Sequence, residues 1–304
     1  MSDGTTSLET RSEESQRGTR REVPQRGTRL AGVIGWPIDH SLSPRLHGFW
    51  LKAYGIDGAY IPMAVRAEDL AEALAALPKL GFRGVNITVP HKERALRLVH
   101  AATSVARRIG AVNTIWIDAD GKLTGDNSDA FGFLENLRES VPGWEAERRA
   151  SVVLGAGGAA RAVTFALHDC GAPEIRIVNR SFDRSQQLAN DIGSTARPVP
   201  WAERAAALDG AGLLVNATVL GMRNHAPLDL DLSLLPRDAV VYDIVYVPLR
   251  TPLLVAGEQR GNPVVGGLGM LLHQARPGFS AWFGRMPDVT ADLRALLTEG
   301  VLSR

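Results

Sequence analysis

Cysteine is almost missing from this chain: Cys170 is the only one among 304 residues. An intramolecular disulfide is therefore excluded, and so is a zinc cage made of several thiolates. Aromatic residues make up only 6 %, and no run of eighteen apolar residues occurs, so no segment reads as a membrane-spanning helix. Charge of one sign is also lacking, since 34 basic side chains face 33 acidic ones for a formal net charge of +1. That balance argues against nucleic acid as a partner. The first segment has no apolar stretch of the kind a secretory signal needs. Arg20-Arg21 imitates a twin-arginine signal, but Glu22-Val23-Pro24-Gln25 follows in place of an apolar region. A cytoplasmic protein is expected. His40, His47 and His91 are scattered, no HxxxH or HExxH pair occurs, and no metal is expected. No Gly-x-Ser-x-Gly elbow is present either, which argues against a hydrolase.

What is present suffices for about two globular domains, with 45 % hydrophobic and 22 % charged residues. Residues 1–28 are Ser, Thr, Arg, Glu and Gly with almost nothing to bury, and a disordered tail is expected there. From Leu30 onward, strand and helix patterns alternate. Strands are expected at 30–34, 59–65, 84–88 and 111–117. Helices are expected at 68–77, at 91–99 with Pro90 in the opening turn, and at 131–137. Residues 140–144 read as a linker into a second α/β unit, with strands at 151–154, 175–178, 213–217, 240–245 and 263–265 and helices between them. Strand alternating with helix predicts a doubly wound parallel sheet.

The second unit opens with an apolar strand that runs directly into Gly155-Ala156-Gly157-Gly158-Ala159-Ala160 and then a helix. This is the position of a dinucleotide fingerprint: glycines permit a tight turn and let helix N-terminal amides approach a pyrophosphate. The next strand ends in Asn179-Arg180-Ser181-Phe182-Asp183-Arg184. An NAD site places an acid near this point to accept a ribose hydroxyl, whereas two arginines and a serine suit a 2′-phosphate, so NADP is expected.

Four polar clusters in the first half lie at strand ends or in loops. In Gly35-Trp36-Pro37-Ile38-Asp39-His40-Ser41-Leu42-Ser43-Pro44 the hydroxyls of Ser41 and Ser43 can face one anion such as a carboxylate. Ser43-Pro44 also reads as an N-cap followed by a first-turn proline. In Asn86-Ile87-Thr88-Val89-Pro90-His91-Lys92 the period of two puts Asn86 and Thr88 on one face, with Lys92 on the following helical turn. One lysine among uncharged hydrogen-bonding groups suits proton transfer on a sugar-like substrate. The other two clusters are Ala111-Val112-Asn113-Thr114 and Gly125-Asp126-Asn127-Ser128-Asp129.

In this order these motifs resemble the shikimate dehydrogenase family over about residues 30–282. Asn216-Ala217-Thr218, Asp243-x-Val245-Tyr246-x-Pro248-x-x-Thr251 and Gly267-Leu268-Gly269-Met270-Leu271-Leu272-His273-Gln274 complete the match. The resemblance implies an oxidoreductase that reversibly reduces 3-dehydroshikimate to shikimate with NADPH, on the route to chorismate and the aromatic amino acids. It implies two α/β domains: a substrate-binding and catalytic domain at 29–128 plus 267–304, and a Rossmann-type NADP domain at 129–266. The C-terminal helices would return to the first domain. By the same resemblance Lys92 and Asp129 form the catalytic pair, and Ser41 and Ser43 hold the substrate carboxylate. Asn86, Thr88, Asn113, Tyr246 and Gln274 face the rest of the substrate. Gly155, Ala156, Gly157, Gly158, Ala159, Asn179, Arg180, Ser181, Arg184, Thr218, Gly267 and Met270 line the cofactor. The partner implied is a small molecule, and the protein is a monomer or homodimer. A quinate or dual quinate/shikimate dehydrogenase is the alternative, and a non-catalytic NADP- or metabolite-binding regulator a further one. Gly48, Ser128 and Val219 depart from residues common in the family, and Pro277 should bend the helix just after Gln274.

Overall fold

The computed structural model describes residues 27–303, so the expectation of a disordered tail at 1–28 lies, apart from its last two residues, outside the described residues. Two six-stranded sheets organise the chain. The first contains β1 (Arg29–Gly35), β2 (Gly58–Ala64), β3 (Phe82–Ile87), β4 (Ala101–Ala102), β5 (Thr114–Ile117) and β6 (Leu123–Asp126), in the order β2-β1-β3-β5-β6-β4. β1 pairs in parallel with β2 and β3, while β5 runs antiparallel to both β3 and β6. Helices α1 (Ser43–Ala53), α2 (Leu70–Ala76), α3 (Lys92–Leu98) and α4 (Ser104–Ile109) connect these strands. Side chains on β1 divide between two cores as the pleat requires: Ala31 and Val33 face one, Ile34 the other.

α5 (Asp129–Ser140) leads into the second sheet. That sheet holds β7 (Ser151–Leu154), β8 (Ile175–Asn179), β9 (Ala196–Pro200), β10 (Leu213–Asn216), β11 (Val240–Asp243) and β12 (Val264–Gly266). All its pairings are parallel, in the order β12-β11-β10-β7-β8-β9. This is the doubly wound Rossmann order, and its switch point between β7 and β10 is where such sheets bind ligands, beyond the carboxyl ends of the strands. α6 (Gly158–Asp169), α7 (Phe182–Ile192) and α8 (Pro252–Arg260) cover it.

α9 (Leu268–Phe283) and α10 (Ala291–Leu302) then return to the first sheet. Leu272, Ala275, Phe279, Trp282, Phe283, Leu293 and Leu297 share a core with Ala31, Val33, Leu46 and Trp50. Trp282 Nε1 donates to Ile115 O at 2.9 Å, over Gly84 of β3. A Cβ at Gly84 would stand 2.2 Å from that indole nitrogen, so only glycine admits the helix there. α9 also belongs to the second unit at its start, where Met270 joins Phe133 and Leu137 of α5 in the core beneath β7 and β10.

Several local expectations are corrected. Ser43 is not the N-cap of α1: Leu42 occupies that position, and Ser43 is already the first helical residue, with Ser41 Oγ accepting its N–H at 3.3 Å. Pro90, joined to Val89 by a cis bond, precedes the cap residue His91 and lies outside the first turn of α3. The strand expected from Ala111 starts only at Thr114, because Val112 N donates to Lys92 O and Asn113 N to Asp126 O, out of register with a straight ladder. Helices were expected between every pair of later strands. Between β10 and β11 no helix forms among the described residues, and between β9 and β10 there are only two short 3₁₀ turns. Pro277 lies inside α9, which runs unbroken from Leu268 to Phe283, so the expected bend after Gln274 does not interrupt the helix.

Candidate active site

The polar clusters of the first half converge where the two sheets meet. Lys92, the first residue of α3, donates from Nζ to Asp129 Oδ2 at 2.5 Å. Asp129 opens α5, where the helix N-terminus favours a carboxylate, and Asn127 Oδ1 accepts its backbone N–H. The second oxygen, Oδ1, receives Asn113 Nδ2 at 2.9 Å. Asn113 Nδ2 also lies 3.1 Å from Ser128 Oγ and 3.4 Å from Gln274 Oε1. Ser128 Oγ donates to Gln274 O at 2.7 Å. Thus Gln274, carried on the returning α9, reaches the same cluster as Lys92 and Asp129.

Behind this pair lies a chain of neutral hydrogen bonds. Asn86 Nδ2 donates to Asn113 O and to Thr114 Oγ1, both at 3.1 Å, and Asn86 Oδ1 accepts from Tyr60 Oη at 2.6 Å. Burial pushes the Tyr60 phenol well above its ordinary value, partly offset by a hydrogen bond with the Ser43 side chain. Ser43 is thereby tied to Asn86 through Tyr60. Thr88 sits half-buried just past β3, with its methyl against Gly35, one loop from Ser41. His47 lies flat on Tyr60, with ring centroids 3.9 Å apart, and burial lowers its pKa to about 3. It is a neutral ring packed behind the site.

The glycine-rich turn forms the opposite wall. Gly155 has φ +114°, and a Cβ there would come within 3.1 Å of Ala217 O and 3.3 Å of Thr218 Cγ2. Gly157 caps α6 without any side-chain hydrogen bond, and a Cβ on it would meet nothing within 4 Å. The first-turn amides of α6 thus face a space that suits a pyrophosphate. A Cβ at Gly158 would stand 3.1 Å from Lys92 Cβ, so the turn and the lysine stem are in contact across the cleft. Ala156 and Ala159 complete the turn between these glycines. Gly267 lies so close to Ile244 that a Cβ would fall 2.1 Å from its carbonyl oxygen.

Beyond β8, Asn179 Nδ2 donates to Ser181 O and Ser181 caps α7. Arg180 is exposed, and Arg184 Nη2 donates to Glu93 Oε1 at 2.9 Å and Ala156 O at 3.3 Å. Two arginines and a serine beside an open glycine turn fit a dinucleotide carrying a 2′-phosphate. Thr218 is fixed by Asn216 Oδ1, which accepts its N–H at 3.1 Å and its hydroxyl at 2.7 Å. Asn216 in turn donates to Asp243 Oδ1 at 3.0 Å.

Asp243 ends β11 fully buried, accepting also from Val245 N and Thr251 Oγ1. Burial, opposed by those three hydrogen bonds, raises its pKa to about 6. Tyr246 stands half-buried in the loop that this carboxylate braces. Met270 is buried in the core between α5 and the second sheet.

Comparison with known proteins decides the family. Residues 33–115 match the model of the shikimate dehydrogenase substrate binding domain, 138–221 that of shikimate / quinate 5-dehydrogenase, and 267–297 that of the shikimate 5′-dehydrogenase C-terminal domain. The chain is 59 % identical over 269 residues to the NADP(+) shikimate dehydrogenase of Paramagnetospirillum magneticum, covering 88 % of this chain and 98 % of that one. It belongs to the shikimate dehydrogenase family. The corresponding enzyme of Rhodospirillum rubrum is 58 % identical, covering 88 % of this chain and 96 % of its own. Among solved structures, shikimate 5-dehydrogenase of Thermus thermophilus in complex with NADP(H) and shikimate superposes with a TM-score of 0.78. It is 37 % identical, covering 91 % of this chain and 99 % of that one. Quinate dehydrogenase of Corynebacterium glutamicum in complex with NAD gives a TM-score of 0.82 at 34 % identity, covering 90 % and 99 %.

For this family member, the residues read from the sequence as Lys92, Asp129, Asn86, Asn113 and Gln274 form one hydrogen-bonded group. Sequence reasoning missed Tyr60, Thr114 and Ser128 as members of that group. Tyr60 lies within β2 with no local motif around it, and only the pairing of β2 with β1, beside β3, brings it to Asn86.

Proposed function

We propose that this protein catalyses the reversible NADPH-dependent reduction of 3-dehydroshikimate to shikimate, with Lys92 and Asp129 as its acid–base pair. The observation that carries the roles is the contact of Lys92 with both Asp129, at 2.5 Å, and the first turn of the nucleotide-side helix. A proton donor is thereby held beside the wall where the nicotinamide dinucleotide would lie. NADPH, when bound, supplies the hydride that reduces the ketone carbon.

As negative charge grows on the ketone oxygen, the Lys92 ammonium donates a proton to it, and the alcohol results. Asp129 keeps the lysine side chain aimed and balances its charge, while Asn113 fixes the carboxylate by its other oxygen. In the reverse direction neutral Lys92 takes the hydroxyl proton, and the Lys92 side chain, 15 % exposed, exchanges that proton with solvent. Ser41 and Ser43 would receive the substrate carboxylate. Asn86, Thr88, Asn113, Gln274 and Tyr246 would face its ring hydroxyls. The glycine turn, with Gly155, Gly157 and Gly158 flanked by Ala156 and Ala159, would cradle the pyrophosphate. Asn179, Arg180, Ser181 and Arg184 would hold the adenosine end, and Thr218, Gly267 and Met270 the nicotinamide end. A cytoplasmic setting, as monomer or homodimer, accords with the single cysteine and balanced charge.

Initial rates with shikimate or quinate, each paired with NADP or NAD, test the reading. Turnover confined to shikimate with NADP is expected. Equal turnover of quinate would move the protein to the dual-specificity relatives, and no turnover with any pair would leave a binding protein. Lys92→Ala should lower kcat by about 10²- to 10⁴-fold with KM for shikimate changed far less. Near-full turnover by that variant would remove Lys92 from the chemistry.

A further inference from the structure

Glu93 has no part in the reaction set out above, yet it adjoins Lys92 on α3 and reaches over the cleft to the nucleotide side. Its carboxylate takes Arg184 Nη2 at 2.9 Å, and the same nitrogen donates to Ala156 O in the glycine turn at 3.3 Å. Arg184 is thus engaged by an anion from the other domain at the position where a cation is wanted for a 2′-phosphate. The two side chains are 54 % and 43 % exposed, so the pair can open without stranding a buried charge. Arg180 forms no ion pair among the described residues, and Asp183 is the acidic neighbour of Arg184 in the chain. A carboxylate and a phosphate monoester seek the same planar donor, but the phosphate carries about −1.5 to −2 charges against −1. A ribose hydroxyl carries none and gives Arg184 no reason to leave Glu93.

We propose that Glu93 is a specificity-determining counter-charge, which competes with the adenosine 2′-phosphate for Arg184 and so holds down affinity for NADP without affecting NAD. The inference rests on the proposed placement of the phosphate between Arg180 and Arg184. It has a second consequence: the pair joins the two domains, so docking of the phosphate withdraws a cross-cleft contact from the helix that carries Lys92. Cofactor choice and the seating of α3 are then coupled through one guanidinium.

Calorimetric titration of the full chain with NADP+, NAD+ and 2′,5′-ADP tests this, using wild type, Glu93→Gln, Arg184→Gln and the double variant. Glu93→Gln should bind NADP+ and 2′,5′-ADP about two- to fivefold more tightly, leave NAD+ unchanged, and lose its advantage as ionic strength rises. That gain should vanish in the Arg184→Gln background, where NADP+ binds more weakly. If Arg184→Gln weakens NADP+ but Glu93→Gln leaves it unchanged, weakens it, or shifts NAD+ equally, the counter-charge role is overturned and the phosphate placement stands. If Arg184→Gln leaves NADP+ affinity unchanged, the placement falls, and the role of Glu93 with it.

Discussion

At the scale of the residue, Asp243 carries a pH-dependent cost near the site. Its carboxylate is wholly buried, with Asn216, Val245 and Thr251 as hydrogen-bond donors and no cation among its partners. Its pKa rises to about 6 from an ordinary 3.8. An acid whose folded pKa is raised binds its proton more tightly folded than unfolded. It therefore favours folding least above pH 6, and its cost appears as pH climbs from about 4 through 6, reaching about 3 kcal/mol. Asp243→Asn keeps an acceptor for Asn216 and Val245 and offers an amide to Thr251. The melting temperature of Asp243→Asn minus that of wild type should therefore increase between pH 4.5 and pH 8. A flat difference across that range would show that the carboxylate is not the titrating group.

The legibility of the site divides along the same scale. Lys92, Asn86, Asn113 and Asp129 were readable because each sits in a short polar run at the end of an element, where loops carry chemistry. Tyr60 was not, since one phenol in a β-strand pattern looks like any half-buried aromatic. Asp243 could be seen as a motif residue but not as a buried, uncompensated acid, which depends on how β10, β11 and the turn at Thr251 enclose it.

Between elements, the contact of α5 with α9 sets where Gln274 stands. A Cβ on Gly132 would meet Gln274 Cβ at 2.6 Å, and one on Gly269 would lie 1.7 Å from Asn136 Oδ1. Asn136 itself donates to Tyr242 Oη at 2.6 Å and to Gly266 O at 3.0 Å, so displacing it breaks two further bonds. Gly269→Ala should lose about 1–3 kcal/mol in urea unfolding. Gly157→Ala, with open space and φ −89°, should stay within about 0.5 kcal/mol of wild type while weakening NADP+ binding by filling the pyrophosphate space. Equal stability losses in the two variants would contradict this packing.

Five strands of the second sheet were legible as apolar runs bounded by turns, because a parallel sheet is buried on both faces, whereas the edge strand β9, Ala-Arg-Pro-Val-Pro with only Val199 buried, was missed. The antiparallel pair β5 and β6 was missed in part. β6, Leu-Thr-Gly-Asp, is four residues long and only alternately buried, too short for a period to declare itself. Residues 218–239 were given a helix by the expectation of regular alternation, whereas Leu232, Leu235 and Ala239 fill the core from turns.

Across the whole molecule, the domains are held together by more than the covalent crossings at α5 and α9. Arg161 of α6, held within its own domain by Asp191 of α7, donates to Ile109 O of α4 at 2.5 Å, while Arg108 of α4 pairs with Asp169 of α6 at 2.6 Å. These contacts flank one side of the cleft and the Glu93–Arg184 pair another. The core shared by β1, β2, α1, α9 and α10 has a different character, because its two halves are separated by the entire second sheet in the chain. A polypeptide emerging from the ribosome therefore completes its second domain while the first still lacks Phe279, Trp282 and Leu297. A nascent chain arrested with Gly266 just exposed should show protease resistance in residues 151–266 and ready cleavage in residues 29–126. The domain begun first is finished last, and the lysine that it carries acquires its setting only when the final two helices arrive.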